Sequence, residues 1–152
     1  MNNYLVNINN EIKEALIKLE QNKGKCLIVV DKNNYLKGTL TDGDVRRALL
    51  NGADINSNIK KFIRIKPFYI KINGTNNESY GLGNKSSKEI IKKTKNEHID
   101  IIPVVDEKKK VKKIILAKDL DTIFLSSKIS FQLASLISHL LIWSSLRLSQ
   151  LL

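Results

Sequence analysis

The sequence predicts an α/β (α+β) chain made of two tandem helix–strand–strand–helix modules followed by an apolar tail. Three observations predict it. First, residues 14–49 (EALIKLEQNKGKCLIVVDKNNYLKGTLTDGDVRRAL) lie without gaps over residues 89–124 (EIIKKTKNEHIDIIPVVDEKKKVKKIILAKDLDTIF), at an offset of 75. Val29-Val30-Asp31 falls on Val104-Val105-Asp106, and Asp44 falls on Asp119. A period this long exceeds the roughly 20–50 residues of stacked solenoid repeats, so it describes two modules. Second, Ile12, Ala15, Leu16 and Leu19 follow the i, i+3, i+4, i+7 spacing of an amphipathic helix. Third, both copies carry two short apolar runs separated by turn residues, the pattern of a hairpin.

Taken in order, EIKEALIKLEQ forms the first helix, with Asn9 or Asn10 available to cap its first turn. Lys25–Val30 is a strand, Asp31-Lys32-Asn33-Asn34 a turn and Tyr35–Leu40 the returning strand. A helix follows over Asp42–Leu50 and ends near Asn51-Gly52. The second copy gives a helix over Lys88–Asn96, strands over Ile99–Val105 and Val111–Leu116, and a helix from Lys118. The expected division is module one at 1–62, module two at 63–125 with a polar loop at 73–87, and a helical or irregular tail at 126–152.

That tail changes composition abruptly. Residues 129–152 contain no Lys, Asn, Asp or Glu, and Arg147 is their one formal charge. Three readings stand: a membrane span, an apolar docking helix, or a displaced or shortened reading frame. A span needs about 20 mostly apolar residues, and Gln132, His139 and several serines dilute this stretch. The sudden shift in residue usage favours the third reading.

A chain of 152 residues suits one compact domain or two modules of roughly 60–75 residues sharing an interface. With 42% hydrophobic and 27% charged residues the composition is globular. A net charge of +11 and a pI near 9.7 favour anionic partners, although the excess is scattered lysine. The single cysteine, Cys26, cannot form an internal disulfide, and MNNYLVNINNEIKEAL lacks a charged-then-apolar leader, so the expected location is cytoplasmic.

Chemistry concentrates in GTLTDGDVRR, residues 38–47. A strand leads into a helix there, leaving free amide N–H groups that attract phosphate. Thr41 offers a hydroxyl, Asp44 an acceptor-only carboxylate suited to ribose hydroxyls, and Gly38 a close backbone approach. The same Thr41-x-x-Asp44 pattern also reads as a capping box, and the two roles are compatible. A metal site at Asp42-Gly43-Asp44 is disfavoured by the adjacent Arg46 and Arg47 and by the lack of a longer acidic loop. Those arginines either contact phosphate or are solvated. Cys26 reads as a small buried hydrophobe, His98 and His139 as structural or surface residues, and KKKVKK (108–113) as a solvated turn without the aromatics of a nucleic-acid surface. Gly81-Leu82-Gly83 is too short a signal for a phosphate cradle, and no Ser-His-Asp or Cys-His arrangement is evident.

The repeat, together with Gly38-x-x-Thr41-x-x-Asp44 at the strand-to-helix junction, resembles the CBS (cystathionine-β-synthase) domain pair, or Bateman module, over roughly residues 5–124. The resemblance implies two CBS-type modules packed sheet to sheet about a pseudo-twofold axis, with clefts for an adenine nucleotide: AMP, ADP or ATP. It implies nucleotide contacts at Gly38, Thr39, Thr41 and Asp44, and adenine contacts along the first strand at Cys26, Leu27 and Ile28. The second copy departs from the pattern, with Lys113 for Gly38 and Leu116 for Thr41; Asp119 keeps its place and Pro103 would line the other cleft. One competent cleft per chain is the expectation. More narrowly, LKGTLTDGDVRRALLNG with the later PVVD resembles the regulatory CBS pair that precedes sugar-phosphate nucleotidyltransferase domains. The glycine-rich catalytic segment of such an enzyme, due near residue 125, is not in the sequence. The implied protein is a non-catalytic regulatory homodimer without obligatory cofactor or metal, acting on a partner such as a sugar nucleotidyltransferase, with nucleic acid and membrane not favoured.

Overall fold

The computed structural model describes residues 2–23, 25–71, 87–126 and 132–133. Contacts group residues 1–118 into one compact unit, which holds both sheets, and residues 119–152 into a second. Most of the polar loop at 73–87, the whole of Gly81-Leu82-Gly83, and nearly all of the tail lie outside the described residues.

Module one runs β1 (Leu5–Asn7), α1 (Ile12–Gln21), β2 (Cys26–Val30), β3 (Leu36–Thr41) and α2 (Asp42–Leu50). Module two runs β4 (Ile70–Lys71), α3 (Ser87–Asn96), β5 (Ile101–Val105) and β6 (Val111–Leu116), then a 3-10 turn at Ala117–Asp119. Residues 120–126 are helical. Each module therefore opens with a short strand that hydropathy pattern does not reveal. β1 pairs parallel with β2, and β2 antiparallel with β3. The second sheet repeats the scheme in the order β4-β5-β6.

Alternation along β2 divides its side chains between two cores. Leu27 and Val29 pack with Ile12, Ala15 and Leu19 of α1 and Val45 and Ala48 of α2. Ile28 and Val30 face the other way, joining Ile101, Val105 and Val111 of module two. A bulge between Val29 and Val30 moves the register by one residue, which puts Leu36 on the inter-module side and Leu40 on the helix side. The corresponding bulge falls between Val104 and Val105.

The structure keeps the 75-residue offset in its backbone bonds. Leu36 N–H donates to Lys109 O at 2.9 Å, and Val111 N–H donates to Asn34 O at 2.9 Å, so the two hairpins hold each other by equivalent bonds. At the other end, Asp42 N–H donates to Lys25 O and Ala117 N–H to Asp100 O. Left-handed turn residues recur as well: Lys23 with His98, and Asn34 with Lys109. His98 thus ends α3 in an exposed turn, a structural position.

Asp31 and Asp106, the most visible match in the repeat, organise the hairpin turns. Asp31 Oδ1 accepts from the N–H groups of Asn33 and Tyr35, and Asp106 Oδ1 from those of Lys108 and Lys110. Their other oxygens pair with Lys37 and Lys112. The Lys110 N–H is the main cause that holds the Asp106 carboxyl below its ordinary range, against a smaller push from burial. For Asp31, burial pushes upward, but the Tyr35 N–H, Lys37 and the Asn33 N–H outweigh it. One local expectation is corrected. Glu11, not Asn9 or Asn10, caps α1: Glu14 Oε2 reaches back to the Glu11 N–H at 3.0 Å, while Asn10 Nδ2 supports the same oxygen.

Gly38 sits where a side chain cannot. The segment after Phe62 crosses the open edge of β3, with Thr39 N–H donating to Arg64 O and Arg64 N–H to Thr39 O. A Cβ on Gly38 would lie 2.5 Å from Arg64 O. Gly38→Ala is therefore expected to cost about 1–3 kcal/mol in denaturant unfolding of the full chain. Gly43→Ala, whose Cβ meets nothing nearer than 3.4 Å, should stay within about 1 kcal/mol of wild type.

A second expectation concerns acid. A carboxyl depressed in the folded state contributes stability above its unfolded pKa and loses it as pH falls through the folded value. The melting temperature should therefore fall as pH drops below about 4. Asp106→Asn, which keeps the Oδ1 acceptor but not the charge, should flatten that fall. Identical acid profiles for the two proteins would contradict the assignment.

Candidate functional site

The strand-to-helix junction of module one is built around a single carboxylate. β3 ends at Thr41, whose extended backbone caps α2. Asp44 N–H donates to Thr41 Oγ1 at 3.1 Å, while Asp44 Oδ2 accepts from the Thr41 N–H at 3.0 Å and from its hydroxyl at 2.6 Å. The capping box is thus complete, aspartate serving where glutamate is usual. A helix start capped in this way gains about 1 kcal/mol.

Two guanidiniums close on the same carboxylate. Arg47, one turn along α2, donates through Nη2 to Asp44 Oδ1. Arg64, on the segment bonded to β3, reaches Asp44 Oδ2 through Nε at 3.4 Å. The Asp44 side chain is 10% exposed, whereas those of Arg47 and Arg64 are 62% and 63% exposed. Burial pushes the Asp44 carboxyl upward, but the Thr41 hydroxyl and N–H, Arg47 and Arg64 together hold it below its ordinary range. Its hydrogen-bond and ion-pair partners, Thr41, Arg47 and Arg64, are all donors.

Cys26, at the start of β2, lies within electrostatic reach of this cluster. Its thiol is pushed up to about 12 by burial first, then by Asp100 and Asp44. It is therefore no nucleophile at neutral pH. Asp100 belongs to module two, so the junction of module one draws in a residue from its twin. Two clefts flank the junction. One, of about 390 Å³, is lined by Lys23, Lys25, Thr41, Asp42, Gly43 and Asp100 among others. The other, of about 640 Å³, lies beside Asp44, Arg47, Asn51, Asp54, Ser57 and Lys61.

The structure brings together Thr41, Asp44, Cys26 and, through its backbone, Thr39. It does not bring every sequence-based candidate to the surface. Leu27 and Ile28 have no exposed area, because β2 is the middle strand and both its faces are core. Pro103 is likewise buried in β5. The space that Gly38 leaves open is filled by Arg64 O. Asp119 is exposed at the end of a 3-10 turn. Arg64 is the residue that the sequence pattern misses; its one signal is the demand of Gly38 for a close neighbour. Asp42 pairs with Arg46 at 2.9 Å, so both carboxylates of the Asp-Gly-Asp run face arginine. Among the described residues, no group of three His, Cys, Asp or Glu side chains gathers to hold a metal. Among them, too, no helix is long and apolar enough to cross a membrane.

Comparison with known proteins agrees with this architecture. Residues 1–51 match the CBS domain family. A CBS domain pair/ACT domain protein from Thermotoga maritima superposes with a TM-score of 0.61 at 17% identity, covering 81% of this chain and 88% of that one. This chain folds as a tandem CBS domain pair. A second CBS pair, solved in complex with 5′-methylthioadenosine and S-adenosyl-L-methionine, gives a TM-score of 0.58 at 20% identity, covering 81% of this chain and 88% of the other. CBSX2 in complex with AMP gives 0.59 at 18% identity, covering 82% and 88%. In sequence, a Helicobacter pylori protein is 47% identical over 55 residues, which are 36% of this chain and 17% of that protein's length. A counterpart from a second strain is 44% identical over the same shares. The matched stretch, 36% of this chain, thus spans about a sixth of the length of these curated relatives.

Proposed function

We propose that this CBS pair is a non-catalytic regulatory module that binds an adenine nucleotide at the first junction and transmits its occupancy to a partner or covalently attached enzyme. The observation that carries the reading is the pair of exposed guanidiniums converging on Asp44 beside a capped helix start. The two guanidiniums are exposed, so Arg47 and Arg64 regain water on leaving Asp44, whose Oδ2 keeps its bonds to Thr41. A phosphate offers arginine paired, charge-assisted hydrogen bonds. With the guanidiniums turned to phosphate, Asp44 Oδ1 is open to ribose hydroxyls while Oδ2 keeps the Thr41 cap. Solved CBS pairs of the same fold hold AMP, or 5′-methylthioadenosine and S-adenosyl-L-methionine, which supports an adenosine ligand.

Arg64 lies between α2 and β4 in sequence, and Asp100 immediately precedes β5. Ligand at the junction would thus favour one packing of module against module, a population shift. In this reading the second junction stays empty, since Leu116 has no hydroxyl and Lys113 replaces Gly38. Chains pair as homodimers in the cytoplasm. The greater length of the Helicobacter relatives supports a module coupled to further protein, with a sugar-phosphate nucleotidyltransferase as the proposed client.

Calorimetric titration of the full chain with AMP, ADP and ATP should give saturable binding near one site per chain. Asp44→Asn, which keeps an acceptor for the cap, should weaken it by about tenfold or more, or 1.4 kcal/mol, with little change in melting temperature. Absence of heat from all three nucleotides would remove the reading.

A further inference from the structure

We infer that the first junction selects adenosine ligands by charge, admitting those with phosphate and rejecting neutral or sulfonium-bearing ones, and that Arg64 sets the selection. The inference rests on the nucleotide reading above and narrows it.

The argument is one of charge replacement. Among the described residues, Asp44 is the sole carboxylate within ion-pair distance of Arg47 or Arg64. A ribose that takes Asp44 Oδ1 brings hydroxyls, which are neutral. The guanidiniums then lose their shared anion, and among the described residues no other carboxylate stands in contact to replace it. A ligand must therefore carry its own negative charge. A phosphate does so at the distance a nucleoside sugar places it. S-adenosylmethionine puts its sulfonium where a nucleotide has its first phosphate. Its carboxylate lies further out beside its own ammonium, so it brings net positive charge to two guanidiniums already exposed; 5′-methylthioadenosine brings no charge. Like charges in contact disfavour a complex as strongly as opposite charges favour it.

Arg64 differs from Arg47 in what holds it. Arg47 shares α2 with Asp44 and pairs with it three residues away. Arg64 is fixed by its own backbone, through the two bonds to Thr39, so its side chain is held at the junction whether or not Asp44 accepts from it. Its guanidinium is free to exchange partners without moving the chain. For the same reason Arg64→Gln removes the charge and leaves the β3 edge covered.

Competition titrations of the full chain with ADP, ATP, adenosine, 5′-methylthioadenosine and S-adenosylmethionine test this. The expected result is that ADP and ATP bind at least about tenfold more tightly than the other three, and that raising salt narrows the gap. Arg64→Gln should reduce the gap to within about threefold, weakening ADP and ATP while relieving the penalty on adenosine, and should melt close to wild type. S-adenosylmethionine or 5′-methylthioadenosine binding as tightly as ATP would overturn the charge selection while leaving an adenosine site. A gap undiminished by Arg64→Gln would remove Arg64 from the role. Failure of every ligand to bind would take down the nucleotide reading and this inference together.

Discussion

The junction of module one depends on how the Asp44 carboxylate divides its acceptors. One oxygen closes the first turn of α2 through Thr41, and both oxygens meet guanidiniums. The two attachments differ in strength and in purpose. The cap is local, short and sheltered, and fixes where the strand ends and the helix begins. The guanidiniums sit in solvent, where ion pairs are weak. A carboxylate held firmly on one side and loosely on the other keeps the fold intact while its outer contacts change. Capping and ligand binding, which compete on paper for four residues, are in this way compatible.

Around that point the chain is symmetric where it must fold and asymmetric where it can do chemistry. The turn aspartates, the strand bulges, the hairpin-to-hairpin backbone bonds and the left-handed turn residues all recur at one offset. The turn aspartates and the hairpin-to-hairpin bonds satisfy backbone polar groups that would otherwise lack partners. The junctions do not recur. Leu116 offers no side-chain acceptor to the following N–H groups, and the chain enters its next helix through a 3-10 turn. Lys113 is exposed where Gly38 lies beneath Arg64.

Much of this was legible in the residues. Helix α1 shows its apolar stripe, α3 follows from it through the repeat, and the hairpins announce themselves as apolar runs around Asp-Lys-Asn-Asn and Asp-Glu-Lys-Lys. The ungapped repeat identifies the two modules before any coordinates. β1 and β4 were not legible, because three and two residues are too few for a period to register. Their parallel pairing is decided by the crossover through α1 and α3. Nor could pattern distinguish Cys26, which lies at the strand end near the junction, from Leu27 and Ile28 beside it, which belong to two different cores. Arg64 was hidden for another reason: it is 20 residues from Asp44, and only the fold brings the segment after Phe62 back along β3.

The central claim is that Arg47 and Arg64 exchange Asp44 for a ligand's phosphate while the Thr41 cap persists. Nuclear magnetic resonance of the arginine Nε–Hε groups during addition of ADP reports this directly. The account predicts that both arginine signals shift with ADP and that the Asp44 amide stays protected from exchange. Arginine signals that remain in place while those of Leu116–Asp119 move would contradict it, and would put the ligand at the other junction.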